Sequence, residues 1–126
     1  MHLFPLVLSY HSPIPIYSYF DLLLWVLRLR KRVRVVGRSM LPTLNPNDEV
    51  FVNLVAYRRA RPKVGDIVLV QHPEQSHLKI LKRITAVSPQ NQLFLQGDNP
   101  LESNDSRHFG TVPASLVYGR VSSLFL

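Results

Sequence analysis

Ser39 lies in a short irregular stretch, residues 37–44, between two apolar runs. A serine in a turn usually hydrogen-bonds its own backbone, so the residue type alone indicates little. Gly37, two residues earlier, allows the backbone to approach a substrate closely. We therefore interpret Ser39 as a candidate nucleophile. Three residues beside it supply apolar or stiff surface and are candidate contacts for an extended peptide: Met40, Leu41 and Pro42.

A serine oxygen attacks poorly until a base removes its proton, so the sequence must also supply a base. It contains five histidines, but no Asp-His-Ser ordering with an accompanying signature such as Gly-x-Ser-x-Gly. Lys82 lies in the apolar stretch 78–84, where strand alternation places it on the same face as Ile80 and Ile84. Burial among apolar side chains lowers the pKa of a lysine. We predict that Lys82 is uncharged and acts as the general base.

A third polar block occupies residues 97–110. It begins with Gly-Asp-Asn-Pro, a strong turn signal, and continues with small polar residues, two acids and an arginine. A hydroxyl at Ser103 can hydrogen-bond a neutral amine, and an Asp105–Arg107 pair can brace the loop that presents it. The alternative interpretation is a solvated polar loop.

The three blocks resemble, in their order and spacing, the signal peptidase I family of Ser/Lys proteases. The resemblance covers about residues 33–121, nearly everything after the N-terminal quarter. Three segments carry it: GRSMLPTL at 37–44, KILKRI at 79–84 and GDNPLESNDSRHFG at 97–110.

The resemblance implies a role for each matched residue. Ser39 matches the family's nucleophile and Lys82 its general base. Some family members have a second serine at the position of Gly37 to bind the oxyanion, so stabilisation here would depend on the Ser39 N–H and a neighbouring group. Three residues fall where the family holds the lysine and its loop in place: Ser103, Asp105 and Arg107.

Composition predicts one domain without a cofactor. A chain of 126 residues that is 46% hydrophobic can form a single core. It has no cysteines, which excludes disulfides and thiolate metal sites. His72 and His77 lack a third ligand, so we interpret them as surface residues and predict no metal. The formal charge is +7, and the basic residues concentrate at 28–38 and 58–63.

The N-terminal segment is apolar but interrupted. Residues 1–27 contain Asp21 as their single acid, no Lys or Arg, and several prolines. A secretory signal would need a basic start and a small-residue cleavage site, and a spanning helix would need about 20 apolar residues. We favour an interfacial segment with Trp25 and the basic run 28–32 at the headgroup level. The alternatives are an arm that docks on the domain, or an over-extended start of the coding sequence.

The basic run also bears on location and partners. If the segment spanned a membrane, its arginines would hold the following chain in the cytoplasm. We expect a cytoplasmic protein, or a membrane-associated one whose catalytic domain faces the cytoplasm; the alternative is a membrane-anchored protein with that domain outside. A precursor protein and a membrane surface are the expected partners. Nucleic acid is not expected, because no helix-turn-helix, zinc-finger spacing or aromatic platform accompanies the charge.

Period-two alternation and turn signals predict a mainly β fold. The family resemblance implies a signal-peptidase/LexA-like antiparallel β domain. We expect residues 1–32 to form a hydrophobic and basic N-terminal segment with helical character, and residues 33–126 to form the protease domain. The run 67–72 is continuously apolar, which predicts burial on both faces. The predicted strands are 33–36, 49–53, 67–72, 78–87, 92–96 and 116–121.

The compact spacing and Gly-Asp-Asn-Pro, where larger relatives often have Gly-Asp-Asn-Arg, look most like the maturation proteases of nickel-type superoxide dismutase. That resemblance implies removal of an N-terminal leader from the dismutase precursor. The alternative within enzymes is a general signal peptidase that acts on exported proteins. Self-cleaving repressors of the LexA type share the chemistry but carry a DNA-binding domain and a cleavable linker, which these 126 residues do not show. A non-catalytic binding module is the remaining alternative.

Overall fold

The computed structural model describes residues 14–125, so the interfacial role predicted for residues 1–13 lies outside the described part. The helices and strands are α1 (Tyr19–Val26), β1 (Arg30–Arg34), β2 (Glu49–Asn53), β3 (Ile67–Gln71), β4 (Lys79–Val87), β5 (Gln92–Gln96), α2 (Ser106–Phe109), β6 (Val112–Pro113) and β7 (Val117–Phe125). Two 3₁₀ turns lie at Pro100–Glu102 and Ala114–Leu116.

The strands form a seven-stranded sheet in the order β1-β2-β7-β3-β4-β5-β6. Every neighbouring pair is antiparallel. Register irregularities interrupt the β2–β7, β3–β7 and β4–β5 pairs. Bulges of this kind bend strands and increase their twist, so the sheet curls. The predicted mainly β, antiparallel fold is confirmed.

Burial on both faces of β3 is confirmed as well. Val68 and Val70 pack in one apolar cluster with the β5 residues Leu93 and Leu95. The alternate residues of β3, Ile67 and Leu69, pack in a second cluster with Val35, before the 37–44 turn, and Val50, after it. β3 therefore lies at the centre of the curled sheet, next to the lysine strand β4.

β1 begins earlier than predicted, at Arg30 rather than at residue 33. It pairs with β2 from Arg30 opposite Asn53 to Arg34 opposite Glu49. A basic strand is tolerated here because β1 lies at the sheet edge, where Lys31, Arg32 and Arg34 reach solvent. Most of the run that we assigned to a lipid headgroup region is thus an edge strand of the domain.

α1 is held against the sheet by a buried carboxylate. Ser18 and Asp21 form a reciprocal capping box at the start of the helix. The Asp21 carboxylate also accepts a hydrogen bond of 3.0 Å from the Ser123 hydroxyl and lies 3.5 Å from the Arg30 guanidinium. Trp25 packs against the rings of Phe51 and Phe125. α1 therefore packs on the sheet, as the alternative of an N-terminal arm that docks on the domain predicts.

The opposite side of α1 is apolar and exposed. Its exposed side chains include Tyr19, Phe20, Leu23 and Val26. Among residues 14–125, no helix is long and apolar enough to cross a membrane.

Replacing Asp21 with alanine should weaken the docking of α1. The change removes the helix cap and leaves the Ser123 hydroxyl without its acceptor, so we expect a loss of about 1 to 3 kcal/mol in the free energy of unfolding. Urea unfolding followed by the fluorescence of Trp25 measures it, since Trp25 is the protein's one tryptophan. Glu74→Ala, at an exposed loop position, is the control. An unchanged midpoint in the Asp21 variant would contradict the assignment.

Candidate active site

Buried core residues anchor the turn that carries Ser39. Met40 and Leu44 are buried, and the Leu44 N–H donates to the Met40 carbonyl at 2.9 Å. Gly37 has a φ of +81°, a conformation that favours glycine, and a Cβ there would meet no atom within 4 Å. The Leu41–Pro42 peptide bond is cis. Glycine at 37 therefore serves the backbone conformation of the turn, and Ser39 remains partly exposed.

Lys82 lies in the middle of β4 and is 4% exposed. Its Nζ donates a hydrogen bond of 3.1 Å to the Ser103 hydroxyl. Burial lowers the pKa of the Lys82 amine below its usual value; the Asp105 carboxylate opposes this shift and the Arg107 guanidinium adds to it. A lowered pKa increases the fraction of the uncharged amine, the form that a general base requires.

Ser103 connects the amine to a buried carboxylate. Its hydroxyl donates to Asp105 Oδ2 at 2.7 Å, which leaves its lone pairs free to accept from Lys82. Arg107 Nε and the Gly97 N–H also donate to Asp105, both at 2.9 Å. Burial alone would raise the pKa of the Asp105 carboxyl, but the hydrogen bonds from Arg107, Ser103 and Gly97 hold it well below its usual range. The carboxylate therefore stays ionised.

Ser39 and Lys82 line the same cavity, which has a volume of about 280 Å³. Within residues 14–125, the Ser39 hydroxyl has no hydrogen-bond partner, and the amine of Lys82 donates to Ser103. Of the three predicted peptide contacts, Met40 lines the cavity, whereas Leu41 and Pro42 lie outside its described lining. The apolar side chains that line it are Val33, Val35, Val36, Met40, Leu69, Leu78, Ile80 and Leu81.

A buried ion pair that we did not predict links the three blocks. The Arg83 guanidinium donates two hydrogen bonds of 2.9 Å to the Asp98 carboxylate. Asp98 Oδ2 also accepts from the Thr43 hydroxyl at 2.6 Å. Because Thr43, Arg83 and Asp98 belong to the serine turn, the lysine strand and the third block, the pair fixes their relative position. An arginine inside an apolar strand was the sequence signal for it.

The third block also contacts the serine turn through its backbone. The Asn99 N–H donates to the Ser39 carbonyl at 2.8 Å, and Asn99 Nδ2 donates to the Arg38 carbonyl at 3.0 Å. A Cβ on Gly97 would overlap the Ser103 hydroxyl and lie 2.6 Å from the Ser39 carbonyl oxygen. Glycine at 97 therefore allows the close approach of the loop that carries Ser103 to the turn that carries Ser39.

The prediction that His72 is a surface residue is wrong. His72 is 3% exposed and packs edge-on against Phe109, with ring centroids 4.9 Å apart. Its position continues the alternation of Val68 and Val70 beyond the end of β3, which directs the ring inward. His77 is exposed, as predicted.

Comparison with known proteins identifies the family. The chain matches the family described as "Signal peptidase, peptidase S26" over residues 12–91 and 87–126. It belongs to this family. Among similar signal peptidase relatives, it is 34% identical over 107 residues to the mitochondrial ATP-independent inner membrane protease subunit 1b of Arabidopsis thaliana, a match that covers 68% of this chain and 63% of the relative. The family predicted from the three blocks is thus confirmed.

Two further signal peptidase relatives come from animals. The chain is 34% identical over 118 residues to the mitochondrial inner membrane protease subunit 2 of Danio rerio, with 77% of this chain and 64% of the relative covered. It is 29% identical over 104 residues to subunit 1 of Homo sapiens, with 68% and 63% covered. The chain thus spans a little under two thirds of the length of these relatives. The superoxide dismutase subgroup stays a prediction.

Replacing Lys82 with methionine should stabilise the protein. In the unfolded chain the amine is protonated up to a pKa of about 10.4, whereas the folded state lowers that pKa. Folding therefore becomes less favourable as the pH falls below the unfolded pKa, and the loss levels off below the folded one. Denaturant unfolding should show a gain from Lys82→Met at neutral pH that shrinks as the pH rises towards 10. Lys63→Met, at an exposed position, should show no such trend; equal stability of wild type and Lys82→Met at neutral pH would be inconsistent with a lowered pKa.

Proposed function

We propose that the protein is a serine endopeptidase that uses Ser39 and Lys82 to remove an N-terminal leader from a precursor protein. The observation that supports this most is the buried amine of Lys82, with its lowered pKa, in the same cavity as the Ser39 hydroxyl. An uncharged amine is a competent base at neutral pH, whereas an ammonium is not.

The proposed reaction proceeds in two steps. Ser39 Oγ attacks the scissile carbonyl while its proton passes to Lys82 Nζ, and the resulting ammonium then protonates the leaving amine. The product is an acyl-enzyme on Ser39 and a free peptide with a new N-terminus. Lys82 next removes a proton from water, which attacks the ester and restores the Ser39 hydroxyl. No metal or cofactor takes part in this scheme.

Ser103 and Asp105 are proposed to position the base. By accepting one N–H of Lys82, the Ser103 hydroxyl limits the rotation of the amine. Asp105 fixes the orientation of that hydroxyl, and its charge stabilises the ammonium formed during attack. Gly37 offers no hydroxyl to the oxyanion, so the proposal relies on the Ser39 N–H and a neighbouring donor.

Membrane association is part of the proposal. The relatives reported above are named as inner membrane protease subunits. In this chain, exposed apolar residues of α1 are followed by Arg28 and the basic strand β1, a combination suited to an interface with anionic lipid. A substrate held at the same surface would meet the cavity between β1 and β4.

Ser39→Ala and Lys82→Met should each abolish cleavage. Loss of the nucleophile or the base from such a pair should lower the rate by roughly a thousandfold or more, as it does in other serine proteases. The assay incubates the protein with a peptide mixture, a proteome digest with blocked amino groups, and sequences each new N-terminus. Ser122→Ala and Lys63→Met are the matched controls, since neither residue lines the cavity. Normal cutting by either dyad variant would refute the assignment.

The same assay run across pH tests the role of the amine. The rate should rise as the pH passes through the pKa of Lys82, which lies below the ordinary lysine value, because only the deprotonated amine accepts the proton. A rate that stays flat from acid to alkaline pH would exclude lysine as the base.

A finer proposal concerns the substrate. The residues 97–100 and the short spacing before them favour the precursor of nickel-type superoxide dismutase, and incubation with that precursor should yield one product with a shortened N-terminus. Ser39→Ala is the matched control for contaminating proteases. An intact dismutase precursor alongside efficient cutting of the peptide mixture would reject this substrate and favour a general leader peptidase.

A further inference from the structure

Two lysines line the same cavity as Ser39 and Lys82. Lys31 belongs to β1 and Lys79 to β4, strands that are not neighbours in the sheet and face each other across the cavity. In the described sheet, the stretch of β4 from Lys79 to Lys82 pairs with β3 along one edge, while pairing with β5 begins only at Arg83. Arg34 of β1, which pairs with Glu49, also lines the cavity, so basic side chains lie on both of its walls.

The side-chain amines of Lys31 and Lys79 interact. A hydrogen bond with the Lys79 amine, followed by the charge of Lys79, lowers the pKa of Lys31, since an amine can accept a hydrogen bond only in its uncharged form. Lys79 Nζ also lies 4.6 Å from the centre of the Tyr118 ring, a cation–π contact. Within residues 14–125, the ion pairs of the structure leave both lysines without a carboxylate, whereas Arg32 and Arg34 on the same strand as Lys31 pair with Glu49.

Two adjacent amines both keep their protons more readily when an anion lies between them. The remaining lining is mainly apolar. Lys31 and Val33 occupy alternate positions along β1, and Val35 takes the next alternate position just after the strand, as side chains that flank an extended peptide do. Lys79 precedes Lys82 by three residues, which is about 10 Å along a strand. An anion held by the pair would therefore lie about three residues from the bond that Ser39 attacks.

We propose that Lys31 and Lys79 form a carboxylate-binding pair that selects peptide substrates with Asp or Glu about three residues from the scissile bond, on one side of it. The inference rests on the proposed peptidase function. A substrate carboxylate fits better than a lipid phosphate because the lysines share their cavity with the reacting side chains and an apolar lining. The carboxylate would relieve the repulsion as the scissile bond reaches Ser39.

Sequencing of the cuts in the peptide mixture tests the pair. The wild type should show roughly fivefold enrichment of Asp and Glu at two to four residues from the cut, on one side only, and 1 M salt should weaken it. The double change Lys31→Glu/Lys79→Glu should replace that preference with Lys and Arg at the same position. Arg58→Glu/Arg59→Glu, which alters the net charge equally at exposed positions outside the cavity lining, should leave the preference unchanged.

Cutting without acidic enrichment, or a preference that survives the double reversal, would overturn the inference and leave the peptidase proposal intact. Affinity selection of the same mixture on immobilised Ser39→Ala protein distinguishes failure of the carboxylate site from failure of the peptidase proposal. If the wild type cuts nothing but this variant still retains acidic peptides, the peptidase proposal fails and the carboxylate site stands. A last experiment measures sedimentation of the protein with phosphatidylglycerol vesicles. If Lys31→Glu/Lys79→Glu abolishes vesicle binding without changing the cut sites, the two lysines bind lipid phosphate and the proposal is rejected.

Discussion

The burial of the Lys82 amine is the constraint on which the candidate site depends. A buried ammonium without a partner is so unfavourable that the group gives up its proton instead. A buried carboxylate nearby would restore the charge if it formed a full ion pair with the lysine. Here Asp105 is taken up by Arg107 and backbone N–H groups, and Ser103 stands between it and the amine. The carboxylate can therefore orient the amine without becoming its dedicated counter-ion.

Such an arrangement requires the three blocks to be held at fixed distances. The Arg83–Asp98 pair is well placed to do this, since both side chains are almost fully buried and Thr43 contributes a third hydrogen bond. Removing one partner of a buried pair typically costs about 3 to 5 kcal/mol, because it leaves the other charge uncompensated. The bond from Asn99 to the Ser39 carbonyl adds a second connection. Positioning thus comes from residues next to those that would react.

Local patterns predicted β2 to β5 to within a residue, because alternation and turn signals are properties of short segments. They also singled out Ser39, Lys82 and the third block, and the family resemblance strengthened that choice. What they missed depends on distant partners: the start of β1 is set by pairing with β2, the burial of His72 by Phe109, and the docking of α1 by Ser123. The short helix α2 follows from its Asp105 cap, which we had interpreted only as a brace.

The separation of the lysine pair from Lys82 reconciles recognition with catalysis. A substrate carboxylate placed beside the Lys82 amine would favour its protonation and so inactivate the base. At Lys79, about 10 Å away along β4, the same carboxylate acts on the amine more weakly than Asp105, which is linked to the amine through Ser103. Asp105 and Arg107, which act directly on the amine, would then still set its protonation state. An acidic substrate can in this way be attracted by the cavity without disabling the group that must accept the proton from Ser39.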